Sequence, residues 1–170
     1  MNGQEFEKLI ESKLGNYKEL PNYPFREKFS YAIFPGAEGG FVDENFYAAL
    51  LNVNSKFGSN QLLSKPHFAG PREEHLFLKQ DSYDWKAFHE MQDNHLTCEG
   101  IYFTGNNFEW LGIYHYDDYL IVGGTEDFIK ELCGLVYEDS DWKKHFSDAF
   151  QNGEISMYQS DYDALVENLF

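Results

Sequence analysis

Basic side chains are scarce in this sequence of 170 residues. There are 13 Lys and Arg against 29 Asp and Glu, which gives a formal net charge of −16 at pH 7. Nucleic acids and anionic membranes both require cationic counter-charge from a protein that binds them. The few basic residues are also scattered along the chain, so we predict neither a nucleic-acid-binding face nor a membrane-binding face.

Cysteine and long hydrophobic runs are scarce as well. Cys98 and Cys133 are the only two cysteines, and isolated cysteines of this kind are typical of small core residues rather than of a redox or metal pair. No window approaches the roughly 20 apolar residues of a membrane span, and the charged opening residues are unlike a signal peptide. We therefore expect a cytoplasmic protein, and a disulfide would be surprising.

Motifs that bind phosphate or carry out catalysis are also missing. Gly123-Gly124-Thr125 has neither the lysine of a Walker loop nor the three spaced glycines of a dinucleotide fingerprint. Glu126 and Asp127 follow at once, where they would repel a phosphate but suit the first turn of a helix. The pattern predicts a strand end followed by a helix that Thr125 caps. Without GxSxG or a catalytic cysteine motif, we predict no catalytic residue, no cofactor and no enzyme activity.

Two histidine-containing clusters have some of the spacing of a metal site. His89 and Asp93 lie one helical turn apart, and His115 and Asp117 share one strand face. Neither cluster has the second histidine of HExxH, and carboxylates in a turn are usually solvated. We predict that the chain holds no metal.

Apolar and aromatic residues are abundant. Hydrophobic residues make up 42% of the chain and aromatic residues 18%, which is a folding composition. No repeat or linker divides the sequence, so we predict a single domain over residues 1–170. The aromatic side chains are more than one small core easily holds, and we expect some of them at the surface.

The periodicity of the apolar residues predicts an α+β fold. We expect an antiparallel sheet with a central meander over about residues 97–123, and helices at both ends that pack mainly on one face. Residues 54–74 look like a long loop, in which a site that includes His67 and Arg72 stays open. The remaining predicted elements are a helix over 4–14, a strand over 29–34, a helix or strand after Asp43, a strand over 75–80, a helix from Ser82 or Asp84, and helices that begin at Thr125, Ser140 and Ser160.

One predicted strand alternates in an unusual way. Trp110, Tyr114 and Tyr116 share one face, whereas Leu111 and Ile113 share the other. If the aliphatic face is buried, the aromatic side chains form an exposed platform that suits protein binding. If the aromatic face is buried, these side chains belong to the core, and the sequence leaves both interpretations open.

The negative charge is concentrated in the second half of the chain. Residues 1–80 hold 9 basic and 10 acidic side chains, whereas residues 81–170 hold 4 basic and 19 acidic side chains, a net of −15. Such a half attracts a basic protein partner. The candidate partner-binding residues are Glu109, Trp110, Tyr114, Tyr116, Asp117, Asp118, Glu126 and Asp127.

The segment GIYHYDDYLIVGGTEDFIKEL, from Gly112 to Leu132, resembles segments of small bacterial immunity proteins that accompany polymorphic or contact-dependent toxins. The resemblance implies a non-catalytic role, in which the protein covers a toxin domain that is often a nuclease with a basic cleft. The acidic half fits that role independently, because acidic patches accelerate encounter with a basic cleft. Two alternatives stay open: a small-molecule-binding or enzymatic domain, and a general adaptor without a toxin partner.

Overall fold

The computed structural model of the protein describes residues 1–15, 23–36, 42–67, 77–93, 100–115 and 119–170. The helices and strands in these ranges follow one another in this order: α1 (Gly3–Lys13), β1 (Ser30–Pro35), α2 (Glu44–Lys56), β2 (Leu62–His67), β3 (Leu78–Gln80), α3 (Trp85–Asp93), β4 (Gly100–Gly105), β5 (Leu111–His115), β6 (Tyr119–Gly124), α4 (Glu126–Tyr137), α5 (Trp142–Gln151) and α6 (Gln159–Leu169). None of these helices is long and apolar enough to cross a membrane.

The six strands form one sheet in the order β1-β6-β5-β4-β2-β3, and every neighbouring pair is antiparallel. Strands β4, β5 and β6 are consecutive in the chain and adjacent in the sheet, so the predicted central meander is confirmed. The predicted α+β class with an antiparallel sheet is confirmed as well.

Strand β2 lies where a long loop was predicted. Helix α2 continues to Lys56, and β2 then pairs with both β4 and β3. The apolar alternation is hidden because β2 contains Lys65, which is 3% exposed and forms an ion pair with Glu7 of α1 at 2.7 Å. A buried lysine is stabilised only by such a partner, and the partner lies far away in sequence. Arg72 lies outside the described residues, as does the side chain of His67.

The helix starts follow the predicted capping chemistry in part. Asp43 accepts a hydrogen bond from the Phe46 amide, which settles α2 as a helix, and the predicted cap of α4 by Thr125 is confirmed. Helix α5 is capped by Asp141 rather than by Ser140. Helix α6 begins after Tyr158, two residues before Ser160, without a side-chain cap.

Helices cover both faces of the sheet, which corrects the expected packing on mainly one face. The first face carries Phe34 and Tyr114, and the second face carries Tyr31 and Tyr119. The aromatic pairs that join helices to the first face are Phe34–Phe46 of α2 at 4.9 Å and Trp110–Phe128 of α4 at 5.1 Å. Those that join helix α5 to the second face are Tyr31–Trp142 at 5.8 Å and Tyr119–Phe146 at 6.4 Å. Both faces are rich in large apolar side chains, so each needs its own cover.

The remaining helices extend these two layers. Helix α3 packs on α2 through Tyr47 and Phe88, whose rings lie 4.7 Å apart. Helix α1 joins the second face through the ion pair of Glu7 with Lys65. Helices α4 and α5 both contact the edge strand β1 from opposite faces, so the connection between them passes beside that edge.

Candidate functional site

The predicted exposed aromatic platform is wrong, and the core interpretation of this strand is correct. Trp110 is 1% exposed and Tyr114 is 2% exposed. Trp110 stacks on Phe128 of α4, and the Phe103 ring lies so close to Gly112 that a Cβ there would meet it at 2.1 Å. The face that carries these aromatic residues is packed against α2 and α4, so neither Trp110 nor Tyr114 is exposed.

The indole N–H of Trp110 also has a hydrogen-bond acceptor inside the protein. Its Nε1 donates to Asn54 Oδ1 at 2.9 Å, and Asn54 Nδ2 donates to the Gln61 carbonyl at 3.1 Å. Asn54 comes so close to the sheet that a Cβ on Gly105 would lie 2.3 Å from its Oδ1. A buried indole N–H usually has such a partner. Trp110 is therefore an anchor between the sheet and α2.

The glycine pair ends a strand and allows close packing. Strand β6 ends at Gly124, and the Thr125 hydroxyl accepts from the Phe128 amide at 3.2 Å, as predicted. A Cβ on Gly123 would lie 2.6 Å from the Phe25 ring, and one on Gly124 would lie 3.0 Å from Trp110 Cβ. A Cβ on Gly123 would force the Phe25 ring to shift, whereas one on Gly124 would be packed tightly against Trp110.

Three of the predicted carboxylates lie at one end of the sheet. Glu109, Glu126 and Asp127 are all exposed. Glu109 directly precedes Trp110, which packs against Gly124 and Phe128 at the start of α4. We call Glu109, Glu126 and Asp127 the carboxylate edge. In the described part of the chain, none of the three forms an ion pair.

Tyr116, Asp117 and Asp118 lie outside the described residues. The residues that flank them, His115 and Tyr119, pair with each other at the end of the hairpin opposite Glu109.

No protein-family model, curated protein or solved structure matches this chain. Because one fold can host unrelated functions, the function depends on the residues of the site.

Of the two predicted histidine clusters, His89 and Asp93 form a pair, and Asp117 of the second cluster lies outside the described residues. On α3, His89 Nδ1 lies 2.8 Å from Asp93 Oδ2, and both side chains are about half exposed. Burial lowers the pKa of His115 to about 4, so its ring is neutral at pH 7. The described residues contain no group of three or more His, Cys, Asp or Glu side chains suited to a metal ion.

A second histidine pair was missed by sequence reasoning. His145 Nε2 lies 3.0 and 3.1 Å from the two Asp139 oxygens, and its ring stacks on Tyr137 at 4.3 Å. The hydrogen bond from His145 holds the pKa of Asp139 below its usual value. Nearby Cys133 is buried, which raises its thiol pKa to about 12 and leaves it a poor nucleophile at neutral pH. This cluster orders the turn between α4 and α5.

A groove beside the carboxylate edge was also missed. It has a volume of about 650 Å³ and runs between the second half of α2 and the connection from β3 to α3. Its lining includes Asn52, Ser55 and Asn60 from one side and Asp81 and Tyr83 from the other. Hydrophobic periodicity carries no signal for it, because the lining mixes polar and apolar side chains from segments that are far apart in sequence.

Proposed function

We propose that the protein is a non-catalytic immunity protein that neutralises a basic, nuclease-like toxin by binding it directly. The observation that carries this proposal is the surface charge of the second half of the chain, which has 4 basic and 19 acidic side chains. Every carboxylate in the described part of this half is exposed or half-buried. A field of this strength steers a basic partner towards the protein and suppresses contact with acidic ones.

The carboxylate edge is the part of this surface best suited to a specific contact. Glu109 lies at the entry to β5, and its Oε2 accepts from Asn107 Nδ2 at 3.3 Å. Glu126 and Asp127 occupy the first turn of α4, whose start is fixed by Thr125 and by the packing of Phe128. Because the backbone that carries these carboxylates is ordered, little backbone entropy is lost when a partner binds.

Two lysines lie near the carboxylate edge, but they do not neutralise it. Lys56 is paired with Glu131 at 2.7 Å, and Lys130 lies one turn along α4 from Glu126 and Asp127. The edge therefore keeps a net negative charge that a basic cleft complements.

Co-expression tests the proposed function directly. The gene immediately upstream is expressed alone and together with this protein, and cell survival is counted. We expect the upstream product to be toxic alone and the cells to be rescued by co-expression, with a complex recovered from the rescued cells. Toxicity that persists while both proteins are present and folded, or an upstream gene that encodes a metabolic enzyme, would end the proposal.

A matched pair of triple variants tests the carboxylate edge. One carries Glu109→Gln, Glu126→Gln and Asp127→Asn. The control carries Asp161→Asn, Asp163→Asn and Glu167→Gln on α6, which changes the net charge equally. We expect the edge variant to bind the toxin about tenfold more slowly than the control at low salt, because charges at the interface affect the association rate most. Equal rates would move the interface away from the edge.

A further inference from the structure

The groove between α2 and the β3–α3 connection, here called the Tyr83 groove, has an aromatic side chain at its rim. Tyr83 is 53% exposed, although most aromatic residues of the described chain are buried. Its hydroxyl donates to Glu44 Oε1, and its ring packs against Tyr47 at 5.4 Å. The ring is held at both ends, so a ligand that stacks on it has little side-chain entropy to overcome.

The rest of the lining combines the apolar side chains of Ala48, Leu51 and Leu62 with acceptors and small polar groups. Asp81 Oδ1 accepts from Gln61 Nε2 at 2.6 Å, and its Oδ2 accepts no hydrogen bond from the described residues. The side chains of Asn52 and Ser55 also make no hydrogen bond within the described ranges. A donor that enters the groove therefore finds free acceptors beside an exposed ring.

The groove is electrostatically negative. Among its lining residues the one basic side chain is Lys56, which is paired with Glu131 of α4. Asp81 lines the groove, and Glu44 lies at the hydroxyl of Tyr83. An anionic ligand is disfavoured here, whereas a cation gains from both the carboxylate and the ring.

The groove and the carboxylate edge are parts of one surface. Asn60, at the groove, accepts from Asn106 Nδ2 at 2.6 Å. The adjacent Asn107 donates to Glu109 of the edge and to the Phe57 carbonyl. A protein that lies against the edge therefore also meets the mouth of the groove.

We propose that the Tyr83 groove receives an arginine side chain of the basic partner. The guanidinium stacks on the Tyr83 ring, pairs with Asp81 and donates its remaining N–H groups to the amide and hydroxyl oxygens of the groove. Arginine fits better than lysine, because its guanidinium is planar, stacks on aromatic rings and presents several donors in a fixed arrangement. This inference rests on the proposed function, whose partner it describes.

Short peptides test the groove without the partner. Three blocked pentapeptides that differ only at the central residue, Arg, Lys or citrulline, are titrated into the isotope-labelled full chain and followed by NMR. We expect the Arg peptide to shift the amide signals of residues 81–83 and to bind about threefold more tightly than the Lys peptide. Citrulline keeps the shape without the charge, and we expect no saturable shifts from it. Equal binding of the Arg and Lys peptides would overturn the proposal.

Point variants test whether binding of the Arg peptide depends on the two proposed contacts, with Tyr83 and with Asp81. Tyr83→Leu and Asp81→Asn should each weaken binding of the Arg peptide about threefold, and Glu167→Gln on α6 should leave it unchanged. Tyr83→Phe keeps the ring and should retain most of the affinity, and Asp81→Asn still tests the site if Tyr83→Leu fails to fold. If all four variants bind like the original chain, the groove is not the site.

Different experimental results would contradict the proposed role of the groove and the proposed function of the protein. If the function is right and the groove wrong, co-expression rescues cells but the Arg peptide shows no preference for residues 81–83. If the groove is right and the function wrong, the Arg peptide binds there while the upstream product is not neutralised.

Discussion

Two neighbouring regions at one end of the sheet differ in burial, in charge and in the contacts that their side chains make. Asn54, Trp110 and Phe128, here called the inner cluster, are buried and joined by a hydrogen bond and a ring stack. The residues of the carboxylate edge are all exposed. Yet Glu109 directly precedes Trp110, and Asp127 directly precedes Phe128. Adjacent positions in the chain thus differ sharply in burial, so we expect that the charge of the edge can be changed while the stability given by the inner cluster is kept.

The largest expected effect is on the inner cluster. Trp110→Ala removes a fully buried ring that packs on Phe128, and leaves the amide of Asn54 without its donor. We expect the free energy of unfolding to fall by about 3–5 kcal/mol, measured by urea denaturation. A loss below about 1 kcal/mol would mean that Trp110 is not the anchor described above.

Acidification should weaken the native protein through the ring of His115. Burial lowers the pKa of His115 to about 4 from a usual value near 6.5. The stability that depends on the neutral His115 ring is fully present above pH 6.5, where the ring is neutral in both the folded and the unfolded chain. This stability is lost as the pH falls towards 4, because the unfolded chain takes up a proton more readily than the folded chain does. We expect the native protein to lose about 2–3 kcal/mol over this range relative to His115→Gln. Parallel pH profiles of the two proteins would contradict this.

A smaller effect is expected at the boundary between the two regions. Thr125→Ala removes the hydroxyl that accepts from the Phe128 amide and so starts α4. The expected loss of stability is about 1 kcal/mol, detectable as a lower melting temperature. Thr125→Ser keeps the hydroxyl and serves as the control, which should melt within a few degrees of the original protein.

The smallest effect on stability is expected at the edge itself. Glu109→Gln should change the free energy of unfolding by no more than about 0.5 kcal/mol, since the side chain is exposed and unpaired by any cation in the described residues. The same urea titration as for Trp110→Ala measures it. A loss comparable with that of Trp110→Ala would remove the distinction between the two regions.

The sequence predicted correctly those helices and strands whose defining residues lie close together in the chain. The meander, the strand end at Gly124 and the cap of α4 by Thr125 depend on residues a few positions apart. Strand β2 was not predictable in this way, because Lys65 is buried only through its pairing with Glu7 on α1. Such a partner is known only once the fold brings the two residues together.

The site was predictable in part for a similar reason. Exposure of Glu109, Glu126 and Asp127 follows from their charge. Strand alternation placed Trp110 and Tyr114 together but could not decide their burial, because helices cover both faces of this sheet. The Tyr83 groove needs residues from α2 and from the β3–α3 connection, and no spacing in the sequence relates them.

The two edges of the sheet limit how any partner can be recognised. Strand β1 is flanked by α4 and α5, and strand β3 is only three residues long, with Lys79 bonded to the Met1 carbonyl. Short or covered edges offer little free backbone for an incoming strand. The proposed partner would then be recognised by side chains, which can change without disturbing the hydrogen-bonded frame beneath them.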